Sequence, residues 1–143
     1  MAPNPHKIVF ACVQNAGRSQ MAAAFFNQMA DPTVAVATSA GTQPGTRIHP
    51  EVVTVMREAG IDLSRERPRL FTDEIAHRAL LIVSMGCGDD CPVALGARRD
   101  DWPLEDPAGK DLDTVRRIRD EIHDRVRALI EAEFWGSVPA SGA

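Results

Sequence analysis

The stretch "KIVFACV", residues 7–13, is apolar at every position after its first. A strand with one wet face alternates apolar and polar residues, so an unbroken apolar run belongs to a strand covered on both faces. Sheets covered on both faces are built from strand–helix–strand crossovers, and their strands run parallel. Two further runs read as strands: "TVAVATSAG" (33–41), β-branched and closed by Gly41, and "LLIVSM" (80–85), buried like the first. Between them the period changes. From Arg18 to Met29 the residues Met21, Ala22, Phe25 and Met29 recur at helical spacing, and Asp31-Pro32 ends that helix. A second helix is predicted over 50–59, with Pro50 in its first turn and Gly60 as its C-cap glycine.

Residues 61–72 read as irregular, and "DEIAHRA" (73–79) as a short helix begun by Thr72 or Asp73. Residues 86–109 are loop-rich, with one short strand near Ala97–Arg99. The last helix runs over 111–133 with an apolar stripe of Leu112, Val115, Ile118, Ile122, Val126, Leu129 and Ile130. Residues 1–5 and 136–143 read as flexible termini around one domain at 6–134. The fold class is α/β, a small parallel sheet with helices on both faces.

At 143 residues the chain suffices for one domain with a core and falls short of two. A net charge of −4 argues against a general nucleic-acid binder. The apolar runs are strand-length and cannot cross a bilayer, and "MAPNPHK" lacks the layout of a secretory signal. Three cysteines in such a chain point to reduced thiols used for chemistry and to the cytoplasm.

Immediately after the first strand stands "CVQNAGRSQM" (12–21). Ligands of open parallel sheets bind at the carboxyl ends of strands, and a loop entering a helix presents unpaired N–H groups and a positive dipole end to an anion. A thiol in that cradle is expected to have its pKa depressed into a range of roughly 3.5–7.5. Arg18 supplies a planar fork for two oxygens of a tetrahedral oxyanion. Gly17 permits tight curvature, Ser19 can donate to a thiolate, and Asn15 can brace the loop. Residues Val13, Gln14, Asn15, Ala16, Gly17, Arg18 and Ser19 thus form the candidate oxyanion loop, with Cys12 as nucleophile. The competing reading is a buried strand-end cysteine packed as a small hydrophobe.

Cys12-x5-Arg18-Ser19 between a first strand and a first helix resembles the phosphate loop of the low-molecular-weight protein tyrosine phosphatase superfamily. "NAGRSQMA" (15–22), "TSAGT" (38–42), "GIDLS" (60–64), "MGCGDDCP" (85–92) and "DDWPLEDPAG" (100–109) are similar, in that order, to its arsenate reductase branch. The resemblance implies a four-stranded parallel sheet ordered 2-1-3-4. It also makes Asp106 of "EDPAG" the candidate general acid, against the plainer view of a turn-opening Asp-Pro. Tyrosine phosphatases of this kind follow that Asp-Pro with aromatic residues. Here Ala108 and Gly109 follow it, and the chain has no tyrosine, so a small inorganic oxyanion is favoured.

Cys87 and Cys91 lie just past the third strand, on the sheet edge of Cys12 if the strands are parallel. Gly86 and Gly88 should let them move, as disulfide geometry demands Cα separations of about 4.4–6.8 Å. The resemblance implies a Cys12 thiol-arsenate adduct, attack by Cys87, and a Cys87–Cys91 disulfide reduced by thioredoxin. Phosphate or sulfate would compete for the site. No tightly bound cofactor is implied, and a monomer is expected.

Three departures stand out. Ala16 replaces a small polar residue or cysteine. The two later cysteines are closer than in thioredoxin-coupled members, which leaves the order of attack open. Ala23 stands where those members often carry a glutamate linked to a potassium site, of which only Asn15 and Ser39 remain as candidates. Alternatives are a low-molecular-weight phosphatase, a mycothiol- or glutaredoxin-coupled reductase, and a zinc-binding non-enzyme. His6, His49, His77 and His123 show no paired ligand pattern and are read as surface or core residues. Trp102 and Pro103 are expected to anchor the loop of Asp106, and Arg98-Arg99 to form a surface pair able to attract an anion.

Overall fold

The computed structural model describes residues 4–86 and 97–136; Cys87, Cys91 and most of both expected flexible termini lie outside them. The elements are β1 (His6–Cys12), α1 (Arg18–Met29), β2 (Ala35–Gly41), α2 (Pro50–Glu58), α3 (Asp73–Arg78), β3 (Leu81–Ser84), β4 (Arg98–Asp101) and α4 (Leu112–Glu133). The strands form one parallel sheet in the order β2-β1-β3-β4. This is the order that the family resemblance implies.

The central place of β1 explains its composition. Ile8, Phe10 and Cys12 point into the larger core with residues of α1, α2 and α4. Val9 and Ala11 point the other way, into a smaller core with Phe71, Ala76, Ala79 and Ile82. Strands with both faces covered show no alternation, and β1 shows none.

Element ends shift where local bonds compete with the sheet. Thr33 and Val34 are expected in the second strand but form a turn. The Asp31 carboxylate accepts from the Thr33 N–H at 2.9 Å and from its hydroxyl at 2.7 Å, so β2 starts at Ala35. Thr72 caps α3 by accepting from the Ile75 N–H at 3.2 Å.

Leu112 departs from the expected stripe of α4: as its first residue it lies before the helix meets the core, and it is exposed. At the other end Phe134 is left-handed (φ 59°) and exposed, which turns Trp135 inward against Phe26 and His6 at ring distances of 6.0 and 6.1 Å. Packing thus extends one residue past the expected end of the domain, and Gly136 pairs with Ala30.

Trp102 is buried 5.6 Å from the Phe10 ring, and its indole N–H donates to Asp100 at 3.0 Å. Pro103, expected to share that anchoring, faces solvent. Glu58 of α2 binds Arg116 and Arg119 of α4 at 2.8 and 3.0 Å, and Arg98 of β4 pairs with Glu133. Among the described residues no helix is long and apolar enough to cross a membrane.

Candidate active site

Residues 13–17 leave the carboxyl end of β1 and lead into α1. The Cys12 sulfur, buried at that strand end, lies 2.8 Å from the Ser19 hydroxyl and accepts from the Asn15 N–H at 3.2 Å. Asn15 is left-handed (φ 53°), a conformation asparagine tolerates better than most residues. Its amide N–H donates to the Ser19 hydroxyl at 2.8 Å. Its side-chain oxygen accepts from Gln20 at 3.0 Å and from the Arg69 backbone at 2.9 Å. Gln20, buried, also donates to the backbone oxygens of Asn15 and Arg67, both at 3.2 Å.

On its other side the loop pairs with the chain after β2. Backbone N–H groups of Thr42, Gln43, Gly45 and His49 donate to the carbonyls of Cys12, Val13, Gln14 and Ala16 at 2.8–3.2 Å. With its carbonyls engaged this way, the loop keeps the N–H groups of Gln14, Ala16 and Gly17 without an acceptor among the described residues. Free donors at a helix entrance are the elements of an anion site.

Arg18, at the first position of α1, is nine-tenths buried. One guanidinium nitrogen, Nη1, donates to the Leu104 carbonyl at 3.1 Å, and Nη2 lies 3.8 Å from the Asp106 carboxylate. Asp106 is open to solvent, and its other oxygen accepts from the Ala108 N–H at 3.0 Å in the turn over Pro107. Gly86 has φ +110°, and a Cβ there would stand 2.6 Å from Nη1. The guanidinium therefore uses the space that the missing side chain leaves.

A hollow of about 170 Å³ is lined by Cys12, Val13, Gln14, Ala16, Gly17, Arg18, His49 and Asp106. Asn15 and Ser19 are not among its lining residues and support it through the bonds just described. Ser39 is placed elsewhere, in a second hollow shared with Gln20, Ala23, Thr38 and Arg69.

The two potassium candidates lie apart: Asn15 braces the thiol loop, whereas Ser39 lines the second hollow, which Glu66 also borders. The Asn15 oxygen already accepts two hydrogen bonds, Ala23 brings no ligand, and the Arg69 guanidinium reaches into this region to donate to Thr38 at 3.1 Å. Among the described residues no three His, Cys, Asp or Glu side chains converge on a point that could hold a metal.

Two residues of the site escape the sequence. Gln20 looks like an ordinary helix residue, yet it ties the loop to residues 67–69. His49 is read there as a surface or core residue, but its place is in the hollow. The signal that finds it is the pairing of the chain after "TSAGT" with the loop, which is visible only once β1 and β2 are neighbours.

A hollow with a thiol at its base, free loop N–H groups, one guanidinium and one carboxylate suits nucleophilic attack on a small oxyanion. The glutaredoxin arsenate reductase of Synechocystis is 35% identical over 127 residues, covering 87% of this chain and 95% of its own length. The structure is similar to that of the thioredoxin-dependent arsenate reductase of Corynebacterium glutamicum, with a TM-score of 0.79 and 37% identity. That match covers 92% of this chain and 63% of the longer relative. It is also similar to an arsenate reductase of Archaeoglobus fulgidus, with a TM-score of 0.75, 36% identity and coverage of 87% and 98%. The profile of one family spans residues 7–134, from β1 to the end of α4, and by that match the chain belongs to the low molecular weight phosphotyrosine protein phosphatase family.

Proposed function

We propose that this chain is an arsenate reductase, converting arsenate to arsenite through a Cys12 thiol-arsenate adduct. The observation that carries this reading is the hollow itself. At about 170 Å³ it is well below the roughly 300–1,000 Å³ of sites for larger ligands, and among the described residues lining it the only aromatic ring is the imidazole of His49. It suits an inorganic oxyanion, and among the described residues no aromatic pair flanks it to hold a phenol. The names of the relatives support the same reaction.

Cys12 attacks arsenic from below, with the oxyanion held by loop N–H groups and the Arg18 fork. Asp106 protonates the departing oxygen, which leaves as water. Cys87 then attacks the Cys12 sulfur. The sulfur–arsenic bond breaks with its electron pair going to arsenic, and arsenite departs. Cys91 attacks Cys87, releasing the Cys12 thiolate and leaving a Cys87–Cys91 disulfide. In total arsenate gains two electrons and two thiols become one disulfide, which an external reductant, thioredoxin, restores. The contact of Gly86 with Arg18 supports Cys87 as the second thiol, since it brings the residue before it to the guanidinium. A relay that starts from free thiols belongs in the reducing cytoplasm.

The test is arsenate-dependent NADPH oxidation with thioredoxin and thioredoxin reductase. The native chain should turn over, and Cys12→Ser, Cys87→Ser and Cys91→Ser should each abolish turnover. Turnover that survives loss of Cys87 or Cys91, or that appears only with glutaredoxin or a low-molecular-weight thiol, would overturn the relay as written.

A further inference from the structure

The chemistry just described leaves one ionisable side chain of the hollow unused. His49 lines it with Cys12, Arg18 and Asp106 and is half-buried. Its backbone is held on both sides: the N–H donates to Ala16 at 3.0 Å, and the carbonyl accepts from Val52 and Val53 at 3.0 and 3.1 Å. His49 is also the N-cap of α2, a position that favours short oxygen-bearing side chains. The imidazole makes no capping bond there. Neither ring nitrogen has a hydrogen-bond partner among the described residues. A side chain that neither caps its helix nor bonds to the protein, yet faces the thiol pocket, is available to what enters that pocket.

Gly17 controls how close it comes. A Cβ at residue 17 would stand 2.8 Å from the Pro107 ring and 3.5 Å from His49 Cδ2. The acid-bearing turn and the imidazole therefore close on the hollow across the same glycine. Arg18 already shares its guanidinium between the Leu104 carbonyl and Asp106, and the free loop N–H groups serve the oxygens at the base. A rim oxygen on the side of His49 would meet the imidazole as a further donor. An imidazole carries at least one ring N–H in every protonation state it adopts here.

We infer that His49 is an oxyanion-binding residue whose ring N–H donates to a rim oxygen of the bound anion. The inference rests on the hollow being the arsenate site. Hydrogen bonds to charged groups are stronger than neutral ones, so the contact is expected to matter about tenfold in affinity.

Inorganic phosphate, which binds as an oxyanion and is not reduced, separates binding from turnover. Calorimetric phosphate titration, arsenate kinetics and melting temperature are measured for the native chain and for His49→Ala, His49→Gln and His49→Asp. His49→Ala should weaken phosphate binding and raise the arsenate KM about tenfold, with kcat changed less than about threefold. His49→Gln keeps an N–H donor and should recover most of that loss. His49→Asp is a superior helix cap, so it should hold or raise the melting temperature while binding phosphate worse than His49→Ala. The inference is overturned if His49→Asp binds phosphate like the native chain, or if His49→Ala leaves binding unchanged. Should the native chain fail to reduce arsenate while phosphate binding still follows the pattern above, the reductase reading falls and the anion contact stands.

Discussion

Gly86 shows how much one missing side chain decides. A flexible hinge is the expectation for a glycine beside a reactive thiol. In the structure its φ of +110° and the guanidinium packed against it make it the wall on which Arg18 rests. Gly86→Ala should therefore act twice. The left-handed backbone costs about 1–3 kcal/mol with a side chain in place, a fall of several degrees in melting temperature. The new methyl, 2.6 Å from Nη1, is accommodated when the guanidinium swings away, because that atom ends a flexible side chain. Phosphate binding should then weaken about tenfold or more, the range of a charge-assisted bond. A melt that drops while phosphate binding is unchanged would show that Arg18 does not depend on this wall. Asn15 is the opposite case, a left-handed residue that keeps its side chain because three hydrogen bonds hold it there.

At the level of elements, what the sequence reveals is what is local. The run 7–13, the period of α1 and the stripe of α4 each depend on neighbours within a few residues, and each is found close to its expected place. Cys12, Gly17, Arg18 and Ser19 are legible for the same reason, since the loop is one continuous stretch. Misplacements occur where a distant or competing partner decides: Thr33 bound to Asp31, Phe134 turned out so that Trp135 can pack in, and Gln20 and His49 tied to segments far along the chain. Sheet order came from family resemblance and not from periodicity, which is silent about neighbours.

The loop of Asp106 starts from an aromatic anchor. Trp102 packs on Phe10 with Arg125 over its ring, and its N–H binds Asp100. Trp102→Phe should keep the ring contact and cost about 1 kcal/mol for the lost hydrogen bond. Trp102→Ala should cost about 3–5 kcal/mol. Urea midpoints of the two variants check this, and equal losses would mean that the ring contributes nothing.

For the molecule as a whole, α2 and α4 are joined over the core by Glu58 with Arg116 and Arg119. The hydrogen bond from Arg116 foremost, with help from Arg119, holds the Glu58 carboxyl down to about 2 from an ordinary 4.5, against a smaller opposing effect of burial. A lowered carboxyl pKa stabilises the fold fully above the unfolded value and loses that effect as pH falls through the folded one. Compared with Glu58→Gln, the native chain should therefore keep its full advantage above pH 4.5 and lose it progressively as pH falls toward 2. Urea midpoints across that window measure the gap, which added salt should narrow because the cluster is solvent-exposed. A gap independent of pH would contradict the assignment.

The bond between Arg18 and the Leu104 carbonyl spans 86 residues of sequence. On a ribosome adding about 5–20 residues per second, the thiol loop is made roughly 4–17 s before the segment that steadies its arginine and brings the acid. During that interval Cys12 and its loop are without the Leu104 carbonyl that holds Arg18. The hollow they line closes only when the later part of the chain has been made and has folded back onto them.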